Sequence, residues 1–318
     1  MLTNLFINVD SENPVLVIGV ASLDIVGVLA SDLEEGTSTP AKIRHSFGGT
    51  ARNFAENLAR LGQPVTLLSS LGKDQFGRQM LKHTEQAGVN IEHIIHTKDQ
   101  STGSYIAVIN PSGELQYALD DMGAVSQITP RYLEEKKALF KDASMLFIDA
   151  NLPEKTLETA FELALQADLP IAADPTSASL TKKLQPYLEH INLITPNHKE
   201  AGILCSCEIA DSSHAQGLEA AQHLVSSGVD FAIVTMAEFG VSYATSETNG
   251  HIPAIRTQII DPTGGGDALS AAVVFALLNG ISEDEAVRLG VAAASLTLRH
   301  RGAVLPELSL ERLYDHLN

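Results

Sequence analysis

The sequence is short of cysteine, of positive charge and of long apolar runs, and each shortage closes off a class of protein. Cys205 and Cys207 are its only thiols. One residue apart, they cannot staple distant loops, and two ligands do not complete a zinc site. They read as reduced, incidental thiols. Lysine and arginine number 21 against 39 aspartates and glutamates, for a net charge of −18. A protein that grips a nucleic-acid backbone needs basic patches, so that partner is not expected. A small nucleoside or nucleotide stays compatible with this charge, since a pocket can differ from the average surface. No apolar run approaches the roughly 18 residues of a membrane span. The opening MLTNLFINVDSEN is short and acidic and has no basic leader region, so a signal peptide and a membrane partner are not expected either. The cytoplasm is the expected location.

What is present is a regular alternation of elements. The 318 residues are 44% hydrophobic and 19% charged, enough for one large α/β domain with a small appended lid. Residues 15–20 form a short apolar run of the kind that makes a buried strand, ending near Asp24. Ala51, Phe54, Ala55, Leu58 and Leu61 fall on one face of a helix over 50–61, with Gly62 as its left-handed cap. On the opposite face Asn53 sits with Glu56, Asn57 and Arg60, which reads locally as an ordinary solvated surface. Strands are predicted at 65–68, 144–149, 170–174, 191–195 and 230–235. Helices are predicted at 74–88, 131–140, 154–167, 211–227, 267–279 and 283–299, the last opened by a capping box of Ser282 and Glu285. Residues 104–110 and 114–120 read as a hairpin about Asn110-Pro111-Ser112-Gly113, and a second hairpin is expected at 241–255. The alternation implies a mostly parallel sheet covered on both faces, with 24–46 and 102–122 forming a smaller β layer beside it.

The strongest chemical feature is the run Asp261-Pro262-Thr263-Gly264-Gly265-Gly266-Asp267. Three glycines leave backbone N–H groups free to converge, and the helix that follows favours negative charge at its start. Locally, Asp267 is either a cap for that helix or a base aimed at the same pocket. There is no G-x-x-x-x-G-K-[ST] and no G-x-G-x-x-G after the first strand, so P-loop and dinucleotide-binding folds are not supported. No H-E-x-x-H or G-x-S-x-G occurs.

Residues 261–267 resemble the C-terminal D-T-x-G-A-G-D motif of the ribokinase-like (PfkB) carbohydrate kinases. Gly48-Gly49-Thr50-Ala51-Arg52-Asn53 resembles that family's N-terminal motif. Asn197-His198-Lys199-Glu200 matches its N-x-x-E, and Val234-Thr235-Met236 with Gly240 resembles the strand that ends on the nucleotide. The four stand in the family's order along nearly the whole chain. Pro262 replaces the usual Thr, Gly265 the usual Ala, and Ala237 stands where many members have Gly.

The resemblance implies a three-layer α/β/α sandwich with a small β lid, built as a single domain over 1–318, and an ATP- and magnesium-dependent kinase. Carried over, Asp267 is the general base, and Gly264, Gly265 and Gly266 form an anion hole. Asp24, Gly48, Gly49 and Asn53 hold substrate hydroxyls. Asn197, Thr235, Gly240, Gly264 and Gly266 lie by ATP, and Glu200 holds magnesium through water. Asp261 and Thr263 match positions that hold a monovalent cation such as K+ in many members. Without the resemblance, a surface turn residue is the alternative for Asp24, and Asn197 and Glu200 read equally as the start of a helix. The stretches 48–59, 113–130 and 174–178 are most similar to the pseudouridine kinase branch. A ribokinase- or fructokinase-like sugar kinase, or a binding protein that has lost catalysis, is the alternative. Tyr105 and Met122 read as lid packing, with contact to a nucleoside base as the other reading. Lids of this family often pair between two subunits, which implies a homodimer.

Overall fold

The computed structural model of the chain describes residues 10–210 and 213–317. Most of the opening segment read for a leader, and the first two residues of the helix expected at 211–227, lie outside them.

The chain begins its description with β1 (Val15–Ile18), then makes two longer strands, β2 (Ser22–Leu29) and β3 (Ala41–Gly48). After the Thr50–Leu61 helix come β4 (Val65–Leu68), β5 (Ser70–Gly72), the Gln75–Gln86 helix and β6 (Ile95–Thr97). The expected hairpin is β7 (Gly103–Ile109) and β8 (Leu115–Asp121). Alternation follows through β9 (Met145–Asp149), β10 (Ile171–Asp174), β11 (Leu193–Ile194) and β12 (Phe231–Thr235). The second hairpin is β13 (Val241–Thr245) and β14 (Asn249–Ile252).

The large sheet runs β14-β13-β12-β11-β10-β9-β1-β4. Its strands from β4 to β12 are parallel, and the β13–β14 hairpin extends it antiparallel. The continuous apolar run of β1 has a direct cause. Val15 and Val17 point into one core, with Phe54, Phe147 and Val273, while Leu16 and Ile18 point into a second core on the opposite face, with Phe161 and Leu224. A strand covered on both sides has no solvent face to alternate with. The ring of Phe54 stacks on that of Phe147 at 3.6 Å between centroids, which fixes the Thr50–Leu61 helix against the sheet. The sandwich of helix, sheet and helix expected from the sequence is the observed architecture.

The smaller sheet has the order β3-β2-β7-β8. Its central pair, β2 and β7, is parallel, with Ser22 opposite Gly103 and Asp24 opposite Tyr105.

Several expectations are corrected. Asp24 does not end the first strand of the large sheet. β1 stops at Ile18, the chain turns through Gly19-Val20-Ala21, and Asp24 lies within β2 of the smaller sheet. A Cβ at Gly19 would stand 2.2 Å from an oxygen of Asp149, so the chain can turn there only as glycine. The helix expected at 131–140 divides into Pro130–Glu135 and Lys137–Lys141. The strand expected at 191–195 pairs only over two residues. Ser282 does precede the Glu283–Leu298 helix, but its side chain makes no capping bond, so the box with Glu285 is absent. The Leu310–Leu317 helix and the β5–β6 pair are additions that the pattern of apolar residues did not bring out.

Candidate active site

The Gly265–Leu278 helix is apolar on all sides, and its residues from Ala268 to Leu278 are buried. Its start is set by Gly264, which is left-handed at φ 78° and caps the helix without any side-chain bond. A Cβ on Gly264 would fall 1.9 Å from the Ala303 carbonyl oxygen, so the three glycines are not equivalent. Gly265 packs against Leu298, and an added methyl there would lie 3.2 Å from it, a tight fit that Leu298 must yield to. Gly266 faces open space. Asp267 therefore stands in the first turn of the helix and does not cap it. Its Oδ2 instead accepts a hydrogen bond from Asn53 Nδ2 at 2.7 Å.

That bond joins the first and last motifs of the chain. Burial pushes the Asp267 carboxyl up to about 7; the Asn53 bond and the Arg52 charge oppose this, while Asp24 and Asp149 add to it. Asp24 behaves similarly. Burial raises it to about 6, against the pull of Arg52 and a hydrogen bond from Ser22 Oγ. The Asp24 carboxylate lies directly over Gly48, where a Cβ would be 2.1 Å from its Oδ2. Gly49 has φ 92°, and a Cβ there would be 2.6 Å from the Val20 carbonyl oxygen. The two glycines thus let the end of β3 close against both Asp24 and the 19–21 turn.

The face carrying Asn53 is the largest departure from the sequence reading. Asn53, Glu56 and Asn57, expected on a solvated surface with Arg60, are buried, and so is Arg52. Charged residues inside are tolerated because they satisfy one another. Arg52 pairs with Glu56, which also accepts from Arg60 and meets His83 Nε2 at 3.3 Å.

Asn197 and Glu200 begin the His198–Cys205 helix with a complete capping box. Asn197 Oδ1 accepts from the Lys199 and Glu200 amides at 3.0 Å, and Glu200 Oε2 accepts from the Asn197 amide at 2.9 Å. The box does not use the side-chain Nδ2 of Asn197 or the second oxygen of Glu200. Burial raises the Glu200 carboxyl. Asn197 bridges to Thr235 at the end of β12. Thr235, Gly240, Gly265 and Gly266 line one cleft of about 220 Å³, floored by Leu269 and Leu298. Ala237 at the same cleft has φ 49°, so it holds the left-handed backbone that glycine adopts more readily. A larger open hollow of about 860 Å³, lined by residues between His198 and Gln216, contains none of the residues expected to hold substrate, nucleotide or metal.

Asp261 has both oxygens engaged. Oδ1 accepts from the amide and hydroxyl of Thr263, and Oδ2 accepts from the Gly302 amide at 3.1 Å and meets Arg44 Nη2 at 3.3 Å. Arg44 comes from β3, so this ion pair links the smaller sheet to the glycine loop.

Two carboxylates were missed as site residues. Asp149 ends β9 and Asp174 ends β10, side by side in register. Asp149 accepts from the Val20 amide at 2.8 Å and the Asn151 amide at 2.9 Å, which holds the 19–21 turn in place. Asp174 is raised well above the usual carboxylate range by burial and by the nearby charges of Asp267 and Glu200. The signal was present: each is a single acid closing a wholly apolar strand, at the carboxyl edge where open α/β sheets gather ligands.

The donor set suits a nucleoside triphosphate with magnesium. Amides and a helix start face the cleft for anionic oxygens. Glu200 and Asp174 offer hard oxygen ligands for a cation that is normally shared with phosphates and water. Among the described residues no cluster of three or more histidine, cysteine, aspartate or glutamate side chains forms a cage for a metal by itself. None of the described helices is long and apolar enough to cross a membrane.

Known proteins resemble this chain over nearly its whole length. The chain is 32% identical to a pseudouridine kinase of Escherichia coli K12 over 93% of its length and 94% of the relative's. It is 28% identical to a guanosine-inosine kinase of Exiguobacterium acetylicum over 93% and 98%. The structure of Arabidopsis thaliana ribokinase complexed with ribose and ATP superposes with a TM-score of 0.85 at 22% identity, over 96% and 99% of the two chains. Residues 13–309 match the model of the pfkB family carbohydrate kinases. This chain belongs to the pfkB family of carbohydrate kinases, phosphotransferases that act on an alcohol group.

Proposed function

We propose that the chain transfers the γ-phosphoryl group of ATP to the 5′-hydroxymethyl group of a nucleoside, pseudouridine foremost, with Asp267 as general base. The observation that carries this reading is the Asn53–Asp267 contact: a carboxylate raised to about 7 by burial, held by one oxygen, near the charge of Asp24, whose own carboxylate lies over Gly48. Such a group is poised to take a proton near neutral pH. Identity to the E. coli pseudouridine kinase, at 32%, supports the choice of acceptor.

In this mechanism Asp24 accepts hydrogen bonds from two neighbouring hydroxyls of the acceptor, and Gly48 and Gly49 let it approach. Asp267 takes the proton of the attacking hydroxyl. ATP with magnesium, when bound, supplies the phosphoryl group: the new O–P bond forms as the β–γ bridging bond breaks, and ADP leaves. The amides at Gly264–Gly266 meet the charge that builds on the transferring group. Asn197, Thr235 and Gly240 border the nucleotide, and Glu200 orients magnesium through water with the oxygen that its capping box leaves unused. Asp261 and Thr263 are assigned to a K+ site, although Arg44 already neutralises Asp261.

The smaller sheet serves as a lid that excludes water from the transfer. Its apolar side chains Ile43 and Leu119 are 74% and 63% exposed, which favours a homodimer joined through it. Light scattering in solution should give twice the chain mass, and a monomeric mass at micromolar concentration would sink this assembly.

The acceptor is tested by ADP release with pseudouridine, guanosine, inosine, ribose and fructose. Pseudouridine should show the highest kcat/KM. Ribose turned over better than any nucleoside would establish the sugar kinase reading instead. Silence with every acceptor would favour a binding protein that has lost catalysis.

A further inference from the structure

Arg52 is fully buried and precedes the residue that touches the base. Of its five N–H donors, Nε donates to the Gly48 carbonyl at 2.8 Å and Nη2 to the Phe47 carbonyl at 2.7 Å. Nη1 donates to Glu56 Oε2, and Nη2 also donates to Asn53 Oδ1. The same Asn53 amide donates through Nδ2 to Asp267. An amide has two unlike ends. With a guanidinium at one end and a carboxylate at the other, only one orientation avoids placing donor against donor and acceptor against acceptor.

We propose that Arg52 is a positioning residue for phosphoryl transfer: it fixes the Asn53 amide so that Nδ2 holds one oxygen of Asp267, leaving the other for the acceptor hydroxyl. The same guanidinium clamps the Phe47 and Gly48 carbonyls, so a single side chain sets the base and the substrate turn relative to each other. The assignment rests on Asp267 being the base. Lysine cannot replace it, because one ammonium nitrogen cannot span two carbonyls, a carboxylate and an amide oxygen.

The charged groups around Asp267 are Arg52, Asp24, Asp149 and Asp174. Arg52 is the cation among them, and Asn53 is the hydrogen-bond donor. Loss of Arg52 therefore removes two influences that keep Asp267 ionised, and both act in the same direction.

The test is a pH–rate profile and a double-mutant cycle on the purified full chain, using the best acceptor from the panel. Arg52→Gln should lower kcat roughly 10- to 100-fold at pH 7, the range of a misaligned base. Its acid limb should move up by about one unit, so that part of the rate returns at pH 9. In an Asn53→Ala background the same substitution should add less than about threefold, because the two act as one unit. Arg52→Lys, which keeps the charge, should show the same loss of rate with a smaller shift. If Arg52→Gln does not fold, Arg52→Lys is read by the same criteria. In ¹⁵N-labelled protein the Asn53 side-chain amide signal should shift in Arg52→Lys, a readout independent of turnover. Full multiplication of the two losses, or an unmoved acid limb with an unmoved amide signal, overturns the proposal. An Asp267→Asn enzyme that kept its rate would sink the base reading instead, and the amide signal would still report on the Arg52–Asn53 link.

Discussion

Asp267→Asn should lower kcat about 10²–10⁴-fold while the protein stays folded, the range expected when a positioned base is lost. KM for either substrate should change little, since the asparagine keeps the shape and can still meet Asn53. The native pH profile supplies a second check. The base works only when ionised, and burial raises its carboxyl to about 7. The rate should fall roughly tenfold for each pH unit below that value and level off above it. The sign for stability is the reverse. A carboxylate whose folded value is raised contributes stability when protonated and loses it as pH rises through about 7. Asp267→Asn should therefore melt no lower than the native protein at pH 8, and should melt higher if the charge is as confined as the geometry indicates. A variant that retains more than about half the native rate would remove Asp267 from the chemistry; a near-complete loss falls within the range assigned to general bases.

Glu56→Gln should be among the most destabilising single substitutions in the chain, by roughly 3–5 kcal/mol at neutral pH. Glu56 is buried and meets three partners: Arg52, Arg60 and His83. Burial works to raise its carboxyl, but the His83 bond, the Arg52 charge and the Arg60 bond outweigh it and bring it down to about 2. Glutamine would leave Arg52 charged, buried and without its counter-ion. The depressed value gives the pH dependence. Stabilisation by the carboxylate is complete above about 4.5 and lost as pH falls through about 2. The gap between native and variant stabilities should thus be widest at neutral pH and shrink on acidification from pH 4.5 towards pH 2. Denaturant titrations at pH 7 and pH 3 measure it. A gap below about 1 kcal/mol at pH 7 would mean that the cluster is no more than a surface ion pair in its energetics.

The Glu56 cluster also marks where the sequence stopped being legible. The apolar stripe of Ala51, Phe54, Leu58 and Leu61 correctly announced a helix and its core face. Nothing in the spacing could reveal that the polar stripe is buried too, because its cover comes from the end of β3 and from the 300–306 segment, as shown by the Arg60 bond to the Pro306 carbonyl. Periodicity reports one buried face and is silent on what a distant segment lays over the other. Asp24 failed for a related reason. Its run of apolar neighbours continues through Gly19 to Ala21, so the pattern carries no mark of the break between Ile18 and Ser22. The glycine run fared better, since three glycines before a wholly apolar helix carry their geometry locally. Even so, only the structure shows that Asp267 does not cap its helix and turns instead to Asn53. The capping residues were legible in part: Asn197 and Glu200, read as a helix start, form a complete box, and the box expected at Ser282 and Glu285 does not form.

The hydrogen bond between Asn53 and Asp267 joins residues 214 positions apart. On a ribosome, the Gly48-Gly49 turn and the buried Arg52 are made early, and the carboxylate that Asn53 holds emerges only near the end. A growing chain can therefore bury much of the sheet and still have no site. Every fragment that stops before residue 267 lacks that carboxylate, so on the proposed mechanism a prematurely ended chain transfers no phosphoryl group however well it has begun to fold.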